Sequence, residues 1–368
     1  MQEVFQDTIA RMTENKRFIL WLDLIRAISI FLVVLIHVAS PIYNDWKLPF
    51  NVWFTGMVFN TLARVSVPLM FMVSGYLLLN HQENIRSFYW KRFRKVALPL
   101  LLWSVIYLLW NNHGYANFTP LNALKAMTLV ILTKPAAYHL WFVTTLLQIY
   151  LFVPALRIFV RHADETHIRY LAWLWILLGP ALNYIEQEFL VFKTIIDLGF
   201  FAEYIGFFYL GYVLGRIEMN PRKAWAAGLG YAALFAFTVY SAQYWSLAKD
   251  AYVDFYHYYL RLNMVLMSVC AFLLFKYAGE RLQLAASERS ERAAKVVRHL
   301  AAASFGVYLI HVLVLTMFNW GTFGFRLTVF SAPPLMMIPA LTLAVFFVSY
   351  LATILLQRIP YLRALAPF

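Results

Sequence analysis

Apolar runs long enough to cross a lipid bilayer recur from one end of this chain to the other. A spanning helix needs about 20 mainly apolar residues at about 1.5 Å each. Ten runs meet or approach that length: residues 19–40, 53–79, 96–110, 139–156, 170–182, 199–215, 224–240, 258–277, 301–319 and 336–356. The third and fifth are short. The longest gaps, 111–138 and 278–300, leave no segment the size of a soluble domain. Hydrophobic residues make up 62% of the chain and charged residues 13%, against roughly 45–50% and ~25% in soluble domains. Only lipid can cover that excess. The expected fold class is all-α, a polytopic membrane protein with about ten transmembrane helices. A cytosolic enzyme, a disordered chain and a disulfide-stapled secreted module are excluded. The single cysteine, Cys270, lies inside an apolar run.

Lysine and arginine set the orientation, because they concentrate in cytoplasmic segments. With the N-terminus inside, 22 of the 31 Lys and Arg residues fall on inner segments, and only Lys47, Lys125, Lys134, Lys193, Lys249 and Arg326 fall on outer ones. Both termini are therefore expected to be cytoplasmic. Residues 1–18 read as a polar amphipathic lead-in, 19–358 as one membrane domain and 359–368 as a cytoplasmic tail. The run after residue 18 contains Asp23, Arg26 and His37, unlike the clean, short core of a cleaved signal peptide. The net charge of +13 belongs to this loop bias, and no nucleic-acid partner is expected.

Charge at membrane depth is costly and is usually kept for function. Eleven residues separate Arg26 from His37. At about 100° per residue they share a face to within about 20°, about 16 Å apart along the axis. Asp23 precedes Arg26 by three, a spacing that permits an ion pair. This stripe should face the bundle interior or a water-filled cleft. His37, with a reference pKa near 6.5, suits a general base or acid; a buried histidine bonded to a neighbouring helix is the structural alternative. In the second run Arg64 lies far from either end. Pro68 frees the carbonyl of Arg64, one turn earlier, and Ser74-Gly75 permits close helix approach or a polar opening. The following stretch reads as a basic loop, with Arg86, Lys91, Arg92, Arg94 and Lys95. It could hold anionic lipid headgroups or the phosphates of a cytosolic ligand. His139 and Trp141 open the fourth run, followed by Thr144 and Gln148. Ser304, Tyr308 and His311 share one helical face, and these groups could line the same cavity. Gly211-x-x-x-Gly215 reads as a packing feature. No phosphate-binding loop, dinucleotide fingerprint or nucleophile elbow is present, and no residue spacing points to a metal site.

An ordered set of motifs gives these residues a context. It comprises Arg26 and His37; Arg64-x-Ser-x-Pro68 running into Phe71-x-x-Ser74-Gly75-Tyr76; Arg92 to Pro99; His139-Leu140-Trp141-Phe142; Tyr209-Leu210-Gly211-Tyr212; and Ser304-Phe305-Gly306-Val307-Tyr308-Leu309-Ile310-His311. The chain resembles acyltransferase family 3, the bacterial integral-membrane O-acyltransferases, over essentially its whole length. It is most similar to the short members, which are a bare membrane domain. Where the family often shows Arg-x-x-Arg, this chain has Arg92-Phe93-Arg94-Lys95, which removes a bidentate phosphate contact at Lys95.

The resemblance implies acyl transfer from acetyl-CoA to a sugar hydroxyl of a cell-surface polysaccharide or lipid-linked glycan, in the bacterial plasma (inner) membrane and without a metal. His37 would take the hydroxyl proton. Arg26, oriented by Asp23, and Arg64 would stabilise the carbonyl oxygen or hold the donor. Lys91, Arg92, Arg94, Lys95 and Ser74 would form the donor site, and His139, Trp141, Tyr308 and His311 the acceptor site. Membrane lipids, the glycan acceptor and a glycan synthesis or export complex are the implied partners. A glycan exporter of the same membrane fold is the alternative reading.

The orientation is open to a direct check. In a Cys270→Ser background, a membrane-impermeant maleimide is expected to label Lys47→Cys in intact cells. It should label Arg222→Cys only after the membrane is opened.

Overall fold

The computed structural model describes residues 19–111, 135–181, 204–285 and 287–367, and among them no β-strand occurs. The helices are α1 (Leu20–Tyr43), α2 (Phe50–Ala63), α3 (Ser66–Leu79), α4 (Ile85–Arg92), α5 (Leu98–Asn111), α6 (Trp141–His162), α7 (Glu165–Ile176), α8 (Ile205–Gly215), α9 (Pro221–Lys249), α10 (Leu262–Leu284), α11 (Glu288–Trp320) and α12 (Pro334–Arg358). Joined across short irregular turns, they give eight segments long and apolar enough to span a membrane. The protein is an all-α, multi-pass membrane protein. α7 and α8 fall in the fifth and sixth apolar runs. The fifth run continues through a π-helical turn, Leu177–Ala181; residues 182–203, the lead-in 1–18 and most of the gap 111–138 lie outside the described residues.

The second span, Phe50–Leu79, is broken between α2 and α3. Pro68 offers no N–H to the carbonyl of Arg64, so the ladder fails there. Arg64 sits at the joint as the C-terminal cap of α2. The basic stretch is not the loop that its charge implies. Asn84 caps α4 by accepting the Arg86 N–H at 2.8 Å. The chain then winds through α4 and one π-helical turn, Phe93–Ala97, into α5. Lysine and arginine are good helix formers and no proline intervenes before Pro99, so the third span is the longer Ile85–Trp110.

α1 is the hub. It packs against α2, α3, α10, α11 and α12, and Ile25, Ile30, Val33, Val34, Val38 and Ala39 are all buried. A helix enclosed on this many sides can carry polar side chains at membrane depth, because protein rather than lipid meets them. The outer ring is built differently. α9 turns Trp225, Leu229, Tyr240 and Leu247 outward, the apolar and aromatic surface that lipid requires.

α3 and α8 approach by glycine. A Cβ at Gly75 would lie inside the Phe208 carbonyl, and one at Gly211 inside that of Met72. Gly215 is covered by the ring of Tyr76 in the same way. These three positions need the absence of a side chain for steric reasons, as small-residue packing in membranes does. The tail folds back on the bundle: Ala366 is buried, and the Leu365 carbonyl accepts the Trp103 indole N–H at 2.8 Å.

The glycine contacts predict that Gly75→Val or Gly211→Val destabilises the protein by at least the ~1–3 kcal/mol typical of overpacking. Tyr76→Phe, which keeps the ring over Gly215, should change stability by under ~1 kcal/mol. Thermal unfolding in detergent measures both.

Candidate functional site

Two polar centres occupy opposite halves of α1. Toward its Leu20 end, the Arg26 guanidinium donates to Asp23 at 3.1 Å, with the Arg26 side chain 40% exposed and that of Asp23 10%. Tyr150 on α6 lies in electrostatic range of both Arg26 and Arg92, so the first helix and the basic stretch converge on this end. Arg92 stacks over the rings of Phe88 and Tyr150, its guanidinium 5.0 and 5.7 Å from their centroids. Arg94 is exposed at the surface of the π-helical turn, as is Lys95. Ser74 returns its hydroxyl to the Met70 carbonyl at 2.9 Å, one turn back on its own helix.

Glu83 organises this end. Its side chain is only 5% exposed and it meets Lys91 at 2.7 Å, Arg92 at 3.3 Å and Arg157 at 3.4 Å. Arg157 also donates to the Leu78 carbonyl at the end of α3, at 2.7 Å. Burial opposes ionisation of Glu83, but hydrogen bonds from Lys91 and Arg157 and the charge of Arg92 outweigh it and hold its carboxyl below the usual range. Lys91 and Arg92 are thus fixed in place, and the cluster retains an excess of positive charge.

In the other half, three histidines from three elements meet. The ring of His311 on α11 lies 5.1 Å from that of His37 and 5.1 Å from that of His139; His37 and His139 are 6.3 Å apart. His139 stands on a 3₁₀ turn, Tyr138–Leu140, that leads into α6. His311 Nδ1 is 2.7 Å from the Tyr308 carbonyl. A carbonyl only accepts, so Nδ1 carries the hydrogen and Nε2 of the neutral ring carries the lone pair. The Tyr308 hydroxyl donates to the His139 carbonyl, tying the turn to α11. Tyr107 on α5 wedges into α11 at the same level: its hydroxyl donates to the Leu309 carbonyl at 2.8 Å and accepts the Leu313 N–H at 3.2 Å. The Tyr107 hydroxyl thus bridges a donor and an acceptor one turn apart on α11, on either side of His311. His311 Nε2 and both ring nitrogens of His139 are buried without a hydrogen-bond partner among the described residues. Among those residues no group of three or more His, Cys, Asp or Glu is placed to hold a metal ion.

Arg64 lies near enough to His37 for its charge to act on it. It donates to the Asn60 side chain at 2.8 Å and faces Asp254 at 3.6 Å. The rings of Tyr43 and Tyr259 lie 5.8 and 5.5 Å from its guanidinium carbon. Tyr43 donates to Asp254 at 3.0 Å. Trp141 packs 5.8 Å from Tyr259 and 5.1 Å from Tyr204, extending the aromatic wall. Ile30 and Val33, on the face between Arg26 and His37, are buried, so apolar packing separates the two centres along α1.

Two openings lie on different sides of this interior. A groove of about 540 Å³ runs along α6 between Arg92, Tyr89 and Phe93 at one end and Thr144 and Pro135 at the other. Thr144 to Leu151 covers about 10 Å of helix. The groove thus leads from the basic stretch toward the turn that carries His139. A second pocket, of about 270 Å³, opens on His37 from beside the end of α11 and the connection to α12.

Several of these groups have no signature in the sequence. Glu83, Asp254 and Tyr259 lie in connections without periodicity, and Tyr107 looks like one more aromatic of an apolar run. His257, fully buried with Nε2 2.7 Å from the Thr61 hydroxyl, belongs with them. Lys125, Lys134 and Lys193, expected on outer segments, lie outside the described residues.

A family model described as an acyltransferase domain matches residues 19–354. The chain belongs to this family, acyltransferase family 3. No curated protein and no solved structure matches it. Family membership makes the protein a membrane acyltransferase. The matched segment begins just before α1 and ends within α12, so it contains both polar centres and both openings.

The Glu83 cluster carries a stability prediction with a defined sign. A carboxyl whose folded pKa lies below its unfolded one adds stability that is full above the unfolded value, and loses it as the pH falls through the folded value. Glu83→Gln should therefore cost ~2–4 kcal/mol at pH 7, since it leaves buried Arg157 short of its counter-charge. The difference from the native protein should begin to shrink as the pH falls below the ordinary carboxylate value of 4.5 and vanish only below the lower folded value. Unfolding in detergent across that range measures it.

Proposed function

We propose that this membrane acyltransferase moves an acetyl or similar short acyl group from acyl-CoA to a hydroxyl of a glycan acceptor, in the plasma membrane of a bacterium. The observation that carries this reading is the pair of openings. One groove runs from an arginine-bearing end toward the histidine turn, and a separate pocket reaches His37 from another side. Two substrates can then meet at one centre without sharing an entrance.

Arg92, with Lys91, Arg94 and Lys95, holds the donor's phosphates, and Arg26 adds its charge at the same end. The apolar walls of the groove along α6 suit the donor's thioester-bearing arm. His37 takes the proton as the acceptor oxygen attacks the thioester carbon. The new C–O bond forms, the C–S bond breaks, and His37 returns that proton to the departing thiolate. Arg64 stabilises the negative charge that develops on the carbonyl oxygen. The unpartnered nitrogens of His139 and His311 are groups that a hydroxyl-bearing substrate would satisfy, since an unpaired buried polar atom is costly. Trp141 and Tyr308 shape the aromatic wall around them. Ser74, bonded back to its own helix, adds no donor contact in this scheme. The buried Ile30 and Val33 between the two centres disfavour a continuous hydrated path for a polysaccharide, and with it the exporter reading.

The test is transfer of label from radiolabelled acetyl-CoA to membrane glycan. His37→Ala should lower turnover by on the order of 10²–10⁴-fold, the usual contribution of a general base, at unchanged protein level. Full turnover in His37→Ala would overturn the assignment.

A further inference from the structure

We propose that the pocket over His37 binds an acidic sugar residue of the acceptor, with Arg326 as the counter-ion of its carboxylate. The proposal rests on the reading of His37 as the base that serves the acceptor.

The pocket is lined by His37, Asn319, Trp320, Arg326, Thr328 and Phe330 over an apolar floor. At about 270 Å³ it lies just under the ~300 Å³ at which pockets for drug-sized ligands begin, a size for one sugar ring rather than a chain. Phe330 is more than half exposed and offers an apolar face to the C–H side of a pyranose, while Trp320, stacked on Trp110 at 5.6 Å, completes the wall. Asn319 and Thr328 offer an amide and a hydroxyl to its oxygens. These groups would serve any sugar. Arg326 is what selects. No carboxylate lines the pocket, and among the described residues Arg326 forms no ion pair. Its Nε donates to the Asn319 carbonyl at 3.0 Å, which leaves both terminal nitrogens for a ligand. A guanidinium fork matches a carboxylate in a way that a neutral hydroxymethyl group cannot.

The segment that presents Arg326 is built rather than slack. Gly321 ends α11 at φ 76° and Gly324 turns the chain at φ 85°. The Leu327 N–H then returns to the Phe318 carbonyl at 3.0 Å. Thr328 and Ser331 close a small hydrogen-bonded turn, the Thr328 N–H donating to the Ser331 hydroxyl at 2.9 Å. Pre-ordering of this kind lowers the entropy cost of binding. Membrane topology does not ask for an arginine here either: the charge bias favours lysine and arginine on the opposite side, and Arg326 is one of the few placed against it.

The experiment compares methyl β-D-glucuronide with methyl β-D-glucoside, which differ only in a carboxylate against a hydroxymethyl group. Dissociation constants come from saturation-transfer NMR on the detergent-solubilised full chain. The native protein is expected to favour the glucuronide about tenfold, the effect of one charge-assisted hydrogen bond. Arg326→Gln should bring the ratio close to one, and Arg326→Lys should keep part of it. Equal affinities in the native protein overturn the proposal, and so does a preference that survives Arg326→Gln. The same glycosides, offered as acceptors with acetyl-CoA, separate the two readings. Preferential glucuronide binding without transfer supports the pocket and counts only against acyl transfer. Equal transfer to both glycosides overturns the pocket's selectivity and leaves acyl transfer standing.

Discussion

A titratable side chain survives at membrane depth only where protein, not lipid, surrounds it, and α1 is the helix so enclosed. Five helices pack around it, and everything polar in the interior is arranged with respect to it. His311 meets His37 from α11, and Arg64 reaches its neighbourhood from the joint between α2 and α3. Without that enclosure, Asp23, Arg26 and His37 would face hydrocarbon at a cost of several kcal/mol each. The apolar ring made by α9 and the outer faces of α6 and α12 is the other half of the same arrangement.

The stripe along α1 is polar at its ends and apolar in the middle. Ile30 and Val33 fill the face between Arg26 and His37, so packed apolar side chains separate the two halves. In the proposed reaction this matters twice. The charged part of the donor stays at the Arg92 end, and its reactive arm takes the groove along α6. The histidine centre is largely enclosed by protein, and a low-dielectric site strengthens the action of Arg64 on developing negative charge. Tyr107 contributes by tying α5 to α11 beside His311, and Tyr308 by fastening the His139 turn to α11. These are phenolic hydroxyls used as joinery between helices, where each must find a partner because no solvent is present.

Hydropathy and helical geometry made much of this legible. The spans follow from apolar run length, and the common face of Arg26 and His37 follows from the turn angle of a helix. Pro68 locates the break beside Arg64, because a missing N–H acts locally. The basic stretch misled for a related reason: charge density marks an aqueous boundary but does not distinguish a loop from a helix, and the cap at Asn84 decides that. The histidine triangle joins residues 37, 139 and 311, and no periodicity relates positions so far apart in sequence. Glu83 and Asp254 escaped for the same reason, being single acidic residues in short connections whose partners come from other helices. The short α7 and α8 show the limit of run length alone, since glycine-rich contact between α3 and α8 leaves no mark in a hydropathy plot.

The division between helices and connections has a consequence for how such a molecule can diversify. His37, His139 and His311 are set into the packed bundle on three different elements, so changes there disturb the whole interior. Arg326, Thr328 and Phe330 sit on one compact segment whose own turns hold it in shape. Rewriting that segment would retune recognition while the membrane machinery stays intact, which makes it the natural place to graft a new preference onto an old scaffold.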